Sequence, residues 1–544
     1  MRRWNGWGEE HTHYPFPDSA ASYLSDRIGP GTPALDSTLE QSLKGIPASR
    51  LPDLPNVRTE LIERLLHARG QSLPDWVALR SGKIGVFPDG VAYPEDETQV
   101  RALLDEAMRN HASLIPFGGG TSVVGHINPP EADTPVLTID MTKLNRLIGL
   151  DETSRLATFE AGVPGPELER QLNAKGYTLG HYPQSFELST LGGWIATRSS
   201  GQQSYHYGRI EDLFAGGRAE TPSGRLELPV LPASAAGPDL RQLLLGSEGR
   251  LGIITQATVR IRPIPEYEAF YGIFFPEWEA GVEAVRQIAQ EGVGTSMLRL
   301  SNARETETTL ALSGKEELVR WADRGLRILG FGEGRCLLVF GATGRAETAR
   351  QAKLQALSIT RTHGGLNTGV TIGKLWRKSR FLTPYLRNVL WERGYAVDTL
   401  ETALPWRQVI PAAAALQKAI HASLEQFNEE AWVFAHLSHV YADGASIYVT
   451  YLFRRAADPE ETLRRWSAMK SAASRVILAQ GGTISHQHGV GIDHAAYLPA
   501  EKGPLGMEML RQAARAVDPD GMMNPGKLFE DKTVHGYVRI KNSQ

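Results

Sequence analysis

The sequence predicts an α+β protein with a large antiparallel sheet. Three observations carry this. At 544 residues the chain is long enough for several domains or two large ones. From about residue 266 to 480, strand patterns such as YEAFYGIFF, RCLLVFGA and ASIYVTYLF alternate with long helical patterns such as WEAGVEAVRQIAQEG and PEETLRRWSAMKSAASRVILAQGG. Before residue 266 the texture differs: the strands are shorter, and glycine- and serine-rich stretches join them.

The elements follow in order. Residues 1–60 are rich in Pro, Ser and Trp and read as an irregular arm with one helix, the arm region extending to residue 89. ETQVRALLDEAMRNHA (97–112) has helical spacing, with Val100, Leu103, Leu104 and Met108 on one face. SLIPF reads as a short buried strand, as do TPVLTID (134–140) and LATFEAG (156–162). GPELERQLNAKGY is a helix ended by glycine. EGRLGIITQATVRIRPIP closes a first domain, 90–265, in a β pattern. A second domain spans 266–480, and a C-terminal segment, 481–544, opens with a histidine motif and is helical up to DPDG.

Charged residues make up 22% and the formal net charge is −3, so nothing draws the chain to nucleic acid. Cys336 is the single cysteine, which rules out an internal disulfide and suits a reducing compartment. No apolar run follows the two N-terminal arginines and none approaches a membrane span. A cytoplasmic homodimer is expected, with peripheral attachment to a membrane as the variant.

LIPFGGGTSVVGH (114–126) puts three glycines at the end of a strand. It has neither the lysine of a P-loop nor the spacing of a dinucleotide fingerprint. A plain turn would use glycine this way. So would a pyrophosphate, because glycine lets amides converge on an anion, and Thr121 and Ser122 add hydroxyls. A second segment, HYPQSFELSTLGGWIATRSSGQQSYHYGRIEDL, is dense in small and hydroxyl residues: Ser185, Ser189, Thr190, Gly192, Gly193, Thr197, Ser199, Ser200 and Gly201. The apolar Leu191, Trp194 and Ile195 among them argue against a surface loop.

These segments, with SEGRLGIIT, resemble the flavin-binding segments of the vanillyl-alcohol-oxidase type of FAD enzymes. Within that group the chain is similar to the alkyldihydroxyacetonephosphate synthase family over nearly its whole length. WNGWG, RLLHARGQSLPDWVALRSG, YLRNVLWERGYAVDTLETALPW and DGASIYVTYLF look like successive family motifs. The resemblance implies a vanillyl-alcohol-oxidase-type FAD-binding domain and an α/β cap domain for substrate. It implies FAD held by Pro116, Phe117, Gly118, Gly119, Gly120, Thr121 and Ser122. It adds Gln184, Ser185, Thr190, Gly192, Gly193, Thr197, Arg198, Ser199 and Ser200, and then Glu248, Gly249, Leu251, Gly252, Ile253 and Ile254. No histidine stands in the first of these loops to bond the flavin covalently, so dissociable FAD is expected.

Alternation puts Tyr448, Thr450 and Leu452 on one strand face and Val449 and Tyr451 on the other. A strand tyrosine is ordinarily packing. The resemblance gives Tyr448 the acid/base role, exchanging a proton with the carbon next to the substrate carbonyl; a phenol titrates at about 10 and needs neighbours to do so. ISHQHGVG offers them: if it is extended, His486 and His488 share a face and Gln487 points away. Core histidines and a zinc site with His494 are the other readings; the spacing fits no common zinc pattern, and no metal is expected. The synthase family has three consecutive histidines here, so Gln487 is a departure, and it cannot take up a proton at neutral pH. MNPGKLF (523–529) looks more like flavin-linked hydroxyacid dehydrogenases.

Arg387 and Arg299 match family arginines, and His181 a family active-site histidine. An arginine can clamp a phosphate or carboxylate head group, on a lipid or another small molecule, with two parallel bonds. The resemblance implies exchange of the acyl group of an acyl-dihydroxyacetone phosphate for a long-chain alcohol. A flavin-linked dehydrogenase of a 2-hydroxyacid or a glycerol-phosphate-like alcohol is the alternative, favoured by Gln487 and the tail.

Overall fold

In the computed structural model of the protein, residues 2–33, 35–312 and 316–529 are described, so the end of the C-terminal segment, 530–544, lies outside them. Two main sheets occupy the first half, together with a two-stranded pair, Tyr177–Thr178 with Arg262–Pro263. A four-stranded sheet runs in the order Val57–Arg58, Gly90–Ala92, Val136–Asp140, Ser113–Phe117; its last three strands are parallel. Parallel neighbours need a crossover. The helix Glu97–Arg109 crosses from Gly90–Ala92 to Ser113–Phe117, and Val136–Asp140 then lies between the two. Val100, Leu103, Leu104 and Ala107 are its buried face, while Met108, expected there, is exposed. The second sheet is antiparallel, in the order Leu147–Asp151, Leu156–Glu160, Ile253–Arg260, Phe214–Thr221, Gly224–Leu228.

The second half is dominated by a seven-stranded antiparallel sheet. Its order is Leu366–Asn367, Tyr267–Phe275, Cys336–Gly344, Met297–Ser301, Ala431–Val440, Gly444–Arg454, Tyr395–Pro405. The fold is thus α+β with one large antiparallel sheet. Strand alternation divides the residues of this sheet between two faces. One face carries Leu298, Leu338, Leu437 and Val449 into the main core, where Val285, Ala356, Leu416 and Trp466 from the helices Trp278–Gln290, Ala346–Thr362, Trp406–Leu424 and Pro459–Ala479 meet them. The other face is turned toward the first half of the chain and carries the site.

The N-terminal arm is more structured than its composition indicates. It holds the helices Asp18–Ile28 and Leu39–Lys44 where one was expected, and its Trp7 is buried in the core of the large sheet.

Candidate active site and flavin cradle

Between the two halves lies a cavity of about 1510 Å³. The loop from Pro116 to Ser122 lines one wall, joined by Gln184, Ser185, Thr190, Gly192, Gly193, Thr197, Ser199 and Ser200, and by Glu248, Gly249, Gly252, Ile253 and Ile254. Two residues expected with them do not face it. Leu251 is packed in the core of the second sheet, and Arg198 turns outward to Gln242 (2.5 Å).

The loop is glycine-rich for a reason the sequence alone does not give. A Cβ on Gly119 would lie 1.8 Å from the carbonyl oxygen of Leu188, and one on Gly118 2.4 Å from the Thr190 hydroxyl. The glycines therefore let the first segment press on the second. The side chain of a substituted Gly119 would meet backbone before it met a ligand.

The cradle fits FAD. Ser200 and Ser247 line the cavity with buried hydroxyls that bond to nothing among the described residues. Buried polar groups without partners are expensive, so such hydroxyls mark where a polar ligand lies. Behind them the Ser122 hydroxyl contacts His126 Nδ1 (2.9 Å), and His126 Nε2 lies 3.1 Å from Glu248. The Glu248 carboxylate accepts from the amides of Val490 (2.5 Å) and Gly491 (2.8 Å). A Cβ on Gly489 would strike both His126 and Glu248. Asn524 donates to the carbonyls of Glu248 (2.6 Å) and His126 (3.0 Å). Glu248 and Asn524 hold left-handed backbone, at a cost of order 1–3 kcal/mol each. His126 stands in the quoted GGGTSVVGH stretch and is the residue there that sequence reasoning passed over.

The opposite wall is the free face of the large sheet. Tyr448, Thr450 and Leu452 face the cavity, and Val449 and Tyr451 the core, as alternation predicts. In register, Tyr448 lies between His436 on one neighbouring strand and Glu401 on the other. Its hydroxyl donates to Thr399 (3.1 Å) and lies 3.5 Å from His488 Nε2. Burial raises the Tyr448 phenol above its usual range; Thr399 and Arg387 pull it down, and Glu401 and Asp398 push it further up. The side chain is a neutral phenol.

The histidine motif is not extended. Residues 484–488 bend around the fully buried carboxylate of Glu401, which accepts from the amides of Gln487 (2.6 Å) and His488 (2.7 Å). The expected parity therefore fails: Gln487 and His488 line the cavity and His486 does not. His486 Nε2 instead receives Tyr441 (2.6 Å) and Arg209 (2.8 Å), and its ring stacks on His439. Burial, then His439 and Arg209, hold it well below the usual imidazole range. It is a neutral acceptor whose Nε2 is taken. His488 is also lowered by burial, with Glu401 opposing. The Gln487 side chain lines the cavity beside His439, with which it shares a hydrogen bond.

Arg387 and Arg299 line the cavity in different states. Arg387 Nη1 donates to the Gln71 carbonyl (2.6 Å), its guanidinium lies 4.6 Å from the Trp76 ring centre, and Nη2 bonds to nothing among the described residues. Arg299 is spoken for: it donates to Ser301 (2.7 Å) and pairs with Glu305 (2.7 Å). His181 does not line the cavity. It sits behind Ser199 (3.2 Å) against the Trp194 ring, and burial lowers it to about 3. Sequence reasoning missed His436, Glu305 and Glu401. His436 carried a signal, an imidazole inside the apolar run AWVFAHL, whereas Glu305 stands in the polar stretch ARETETT and carried none.

The cavity continues over apolar walls, Phe274, Met297, Leu337 and Val339 at one end and Val397, Phe434, Leu390 and Leu452 at the other. No group of three or more metal-ligating side chains converges among the described residues.

Comparison with known proteins agrees with this geometry. Residues 88–228 match the family described as FAD binding domain, and 264–528 the family described as FAD linked oxidases, C-terminal domain. Alkyldihydroxyacetonephosphate synthase from Dictyostelium discoideum is 29% identical over 97% of this chain and 93% of its own. The enzyme of that name from Trypanosoma brucei brucei is also 29% identical, over 97% and 92%. A solved structure of an alkyldihydroxyacetonephosphate synthase superposes with a TM-score of 0.83 at 28% identity, covering 96% of this chain and 98% of that one. The chain belongs to the FAD-binding, FAD-linked-oxidase family of flavoproteins and is, within it, an alkyldihydroxyacetonephosphate-synthase-like enzyme.

Proposed function

We propose that the protein exchanges the acyl group of an acyl-dihydroxyacetone phosphate for a fatty alcohol, the ether-forming step of ether-lipid synthesis. The observation that carries this is one continuous cavity in which a flavin cradle, a free arginine nitrogen, a tyrosine–histidine wall and long apolar ends adjoin. The Pro116–Ser122 loop, the hydroxyls of Thr190, Thr197, Ser199 and Ser200, and the Glu248–Ile254 segment would hold FAD without a covalent bond. When bound, FAD supplies an electron-accepting ring beside which the exchange runs with no net redox change.

The chain's own residues divide the remaining work. Arg387 Nη2 receives the phosphate; a guanidinium stays charged even where burial lowers it. Tyr448 exchanges a proton with the carbon next to the substrate carbonyl. His488, 3.5 Å away, is its partner, and Gln487 offers a neutral amide to the substrate. The apolar ends take the acyl and alkyl chains and exclude water. His486 and His181 act by holding neighbours in place.

The same reading sets domain limits at 89/90, 265/266 and 480/481; the seven-stranded sheet, Tyr267 to Arg454, falls within 266–480. It includes a homodimer in the cytoplasm or at a membrane surface; no helix among the described residues is long and apolar enough to cross a membrane. The dehydrogenase alternative is not favoured, because three relatives at 29% identity over 97% of this chain are synthases by name, whereas the D-lactate dehydrogenase that covers 92% of it is 24% identical.

The test is to mix the FAD-loaded protein anaerobically with an acyl-dihydroxyacetone phosphate and a long-chain alcohol. Alkyl-dihydroxyacetone phosphate and free fatty acid should form in equal amounts, with the oxidised flavin spectrum regained at completion. Persistent bleaching by a 2-hydroxyacid, with no alkyl product, would overturn the reading.

A further inference from the structure

His436 lines the cavity beside Tyr448, yet none of the motifs above includes it. The two rings are stacked, 4.9 Å between centres and 19° between planes. The Nδ1 atom of His436 lies 3.0 Å from Glu305 Oε1 and 3.3 Å from Arg299 Nη2. A carboxylate oxygen can only accept and a guanidinium can only donate. One Nδ1 cannot satisfy both, and the shorter contact to the charged acceptor decides: Nδ1 carries the proton and gives it to Glu305. Glu305 is fully enclosed. Burial alone would raise its carboxyl, but Arg299 and His436 hold it down to about 2, so it is ionised.

That tautomer leaves Nε2 as the basic atom. Among the described residues Nε2 makes no hydrogen bond, and the ring is on the cavity wall. A carboxylate fixing one imidazole nitrogen so that the other is basic is the arrangement of a general base with its orienting group. Phe434, two residues earlier on the same strand face, and Leu452 carry the apolar wall up to this ring. A chain lying along that wall would bring its head to His436.

We propose that His436, oriented by Glu305, is the proton-transfer group for the alcohol, separate from Tyr448, which serves the carbon. The inference rests on the exchange reading given above. The carbon–oxygen bond to the acyl group breaks and the fatty acid leaves as carboxylate. The carbon–oxygen bond to the alcohol forms, and the alcohol's hydroxyl proton passes to His436 Nε2. That proton then goes to the released carboxylate. The carbon ends at its starting oxidation level, so no oxidant or reductant is consumed. Glu305 touches neither substrate and is a positioning residue.

The experiment reads two half-processes in the FAD-loaded protein. One is deuterium uptake from solvent into the carbon next to the carbonyl of an acyl-dihydroxyacetone phosphate, without alcohol. The other is formation of the alkyl product with alcohol present. For His436→Gln the second should fall by about 10²-fold or more, the scale of general acid–base catalysis, while the first falls far less. Glu305→Gln should show the same split more weakly, with the KM for alcohol little moved. Alkyl formation within about threefold of wild type in either FAD-loaded variant would overturn the proposal. So would equal loss of both half-processes, which marks a merely structural role. If His436→Gln does not hold FAD, Glu305→Gln decides alone. Failure of the wild type to form alkyl product sinks the exchange reading itself, so the two failures are distinct.

Discussion

Glu401 lies directly across the antiparallel ladder from Tyr448, and its buried carboxylate takes the amide hydrogens of the two loop residues that face the tyrosine's cavity, Gln487 and His488. One side chain thus fixes the distance between strand and loop. Glu401→Gln keeps the shape but replaces a charged acceptor with a neutral one. Hydrogen bonds to charged groups are worth about 1.5–3 kcal/mol. Turnover should fall roughly tenfold or more while FAD stays bound; unchanged steady-state kcat would remove Glu401 from this role.

Tyr448→Phe removes the hydroxyl that Thr399 and His488 surround. Both deuterium uptake and alkyl formation should drop by about 10²–10⁴-fold, with the flavin spectrum intact. Near-normal turnover with flavin bound would defeat the catalytic assignment.

Gln487 faces the cavity next to His439, so its substitution will be felt. Gln487→His should maintain or raise alkyl exchange. A fall of tenfold or more, measured at saturating alcohol, would mean that the amide itself orients the substrate.

Gly119→Ala should abolish FAD retention, because the added methyl meets the Leu188 carbonyl and must part the two cofactor-binding segments. Gel filtration followed by absorbance reads this directly. Gly149→Ala, where a Cβ meets nothing within 4 Å, is the control and should stay yellow. A yellow Gly119→Ala protein would show that the segments can separate without loss.

Asp493 provides a pH signature. Burial pushes its carboxyl up to about 7, with Lys470 opposing. The folded value lies above the unfolded one, so this group favours folding fully below about pH 4 and loses that contribution as pH rises to about 7. The three-unit interval corresponds to about 4 kcal/mol. Asp493→Asn should therefore melt higher than wild type at pH 8, and the gap should close by pH 4. A pH-independent difference would place the effect elsewhere.

The parts of the site legible in the sequence were those governed by local repetition. Tyr448, Thr450 and Leu452 share a face because a strand alternates, while the composition of the glycine loop left a plain turn and a pyrophosphate both open until the resemblance was added. The His486–His488 parity failed because it assumed an extended chain. A carboxylate 86 and 87 residues before the two amides it accepts from, that of Glu401, curls that segment, and no local pattern encodes it. Met108 left the expected face, and the helix buries Ala107 with Val100, Leu103 and Leu104 instead. His436 and Glu305 meet across strands and helices distant in sequence. Taken alone, His436 is an ordinary polar residue in an apolar run and Glu305 an ordinary acidic residue in a polar helix.

The strip Met522–Asn524 pairs with Leu114: the Leu114 amide donates to Met522 (2.8 Å) and the Asn524 amide to Leu114 (2.7 Å), while Lys527 reaches the Asn128 carbonyl (2.6 Å). The edge of the parallel sheet that bears the glycine loop is therefore sealed by residues made some 400 positions later. Closing so long a loop is entropically costly and slow. During synthesis the large sheet can assemble while the earlier sheet still has an open edge, a species with unpaired backbone and exposed apolar surface. A chain cut short before residue 522 leaves that edge, and the strand that leads into the glycine loop, unpaired.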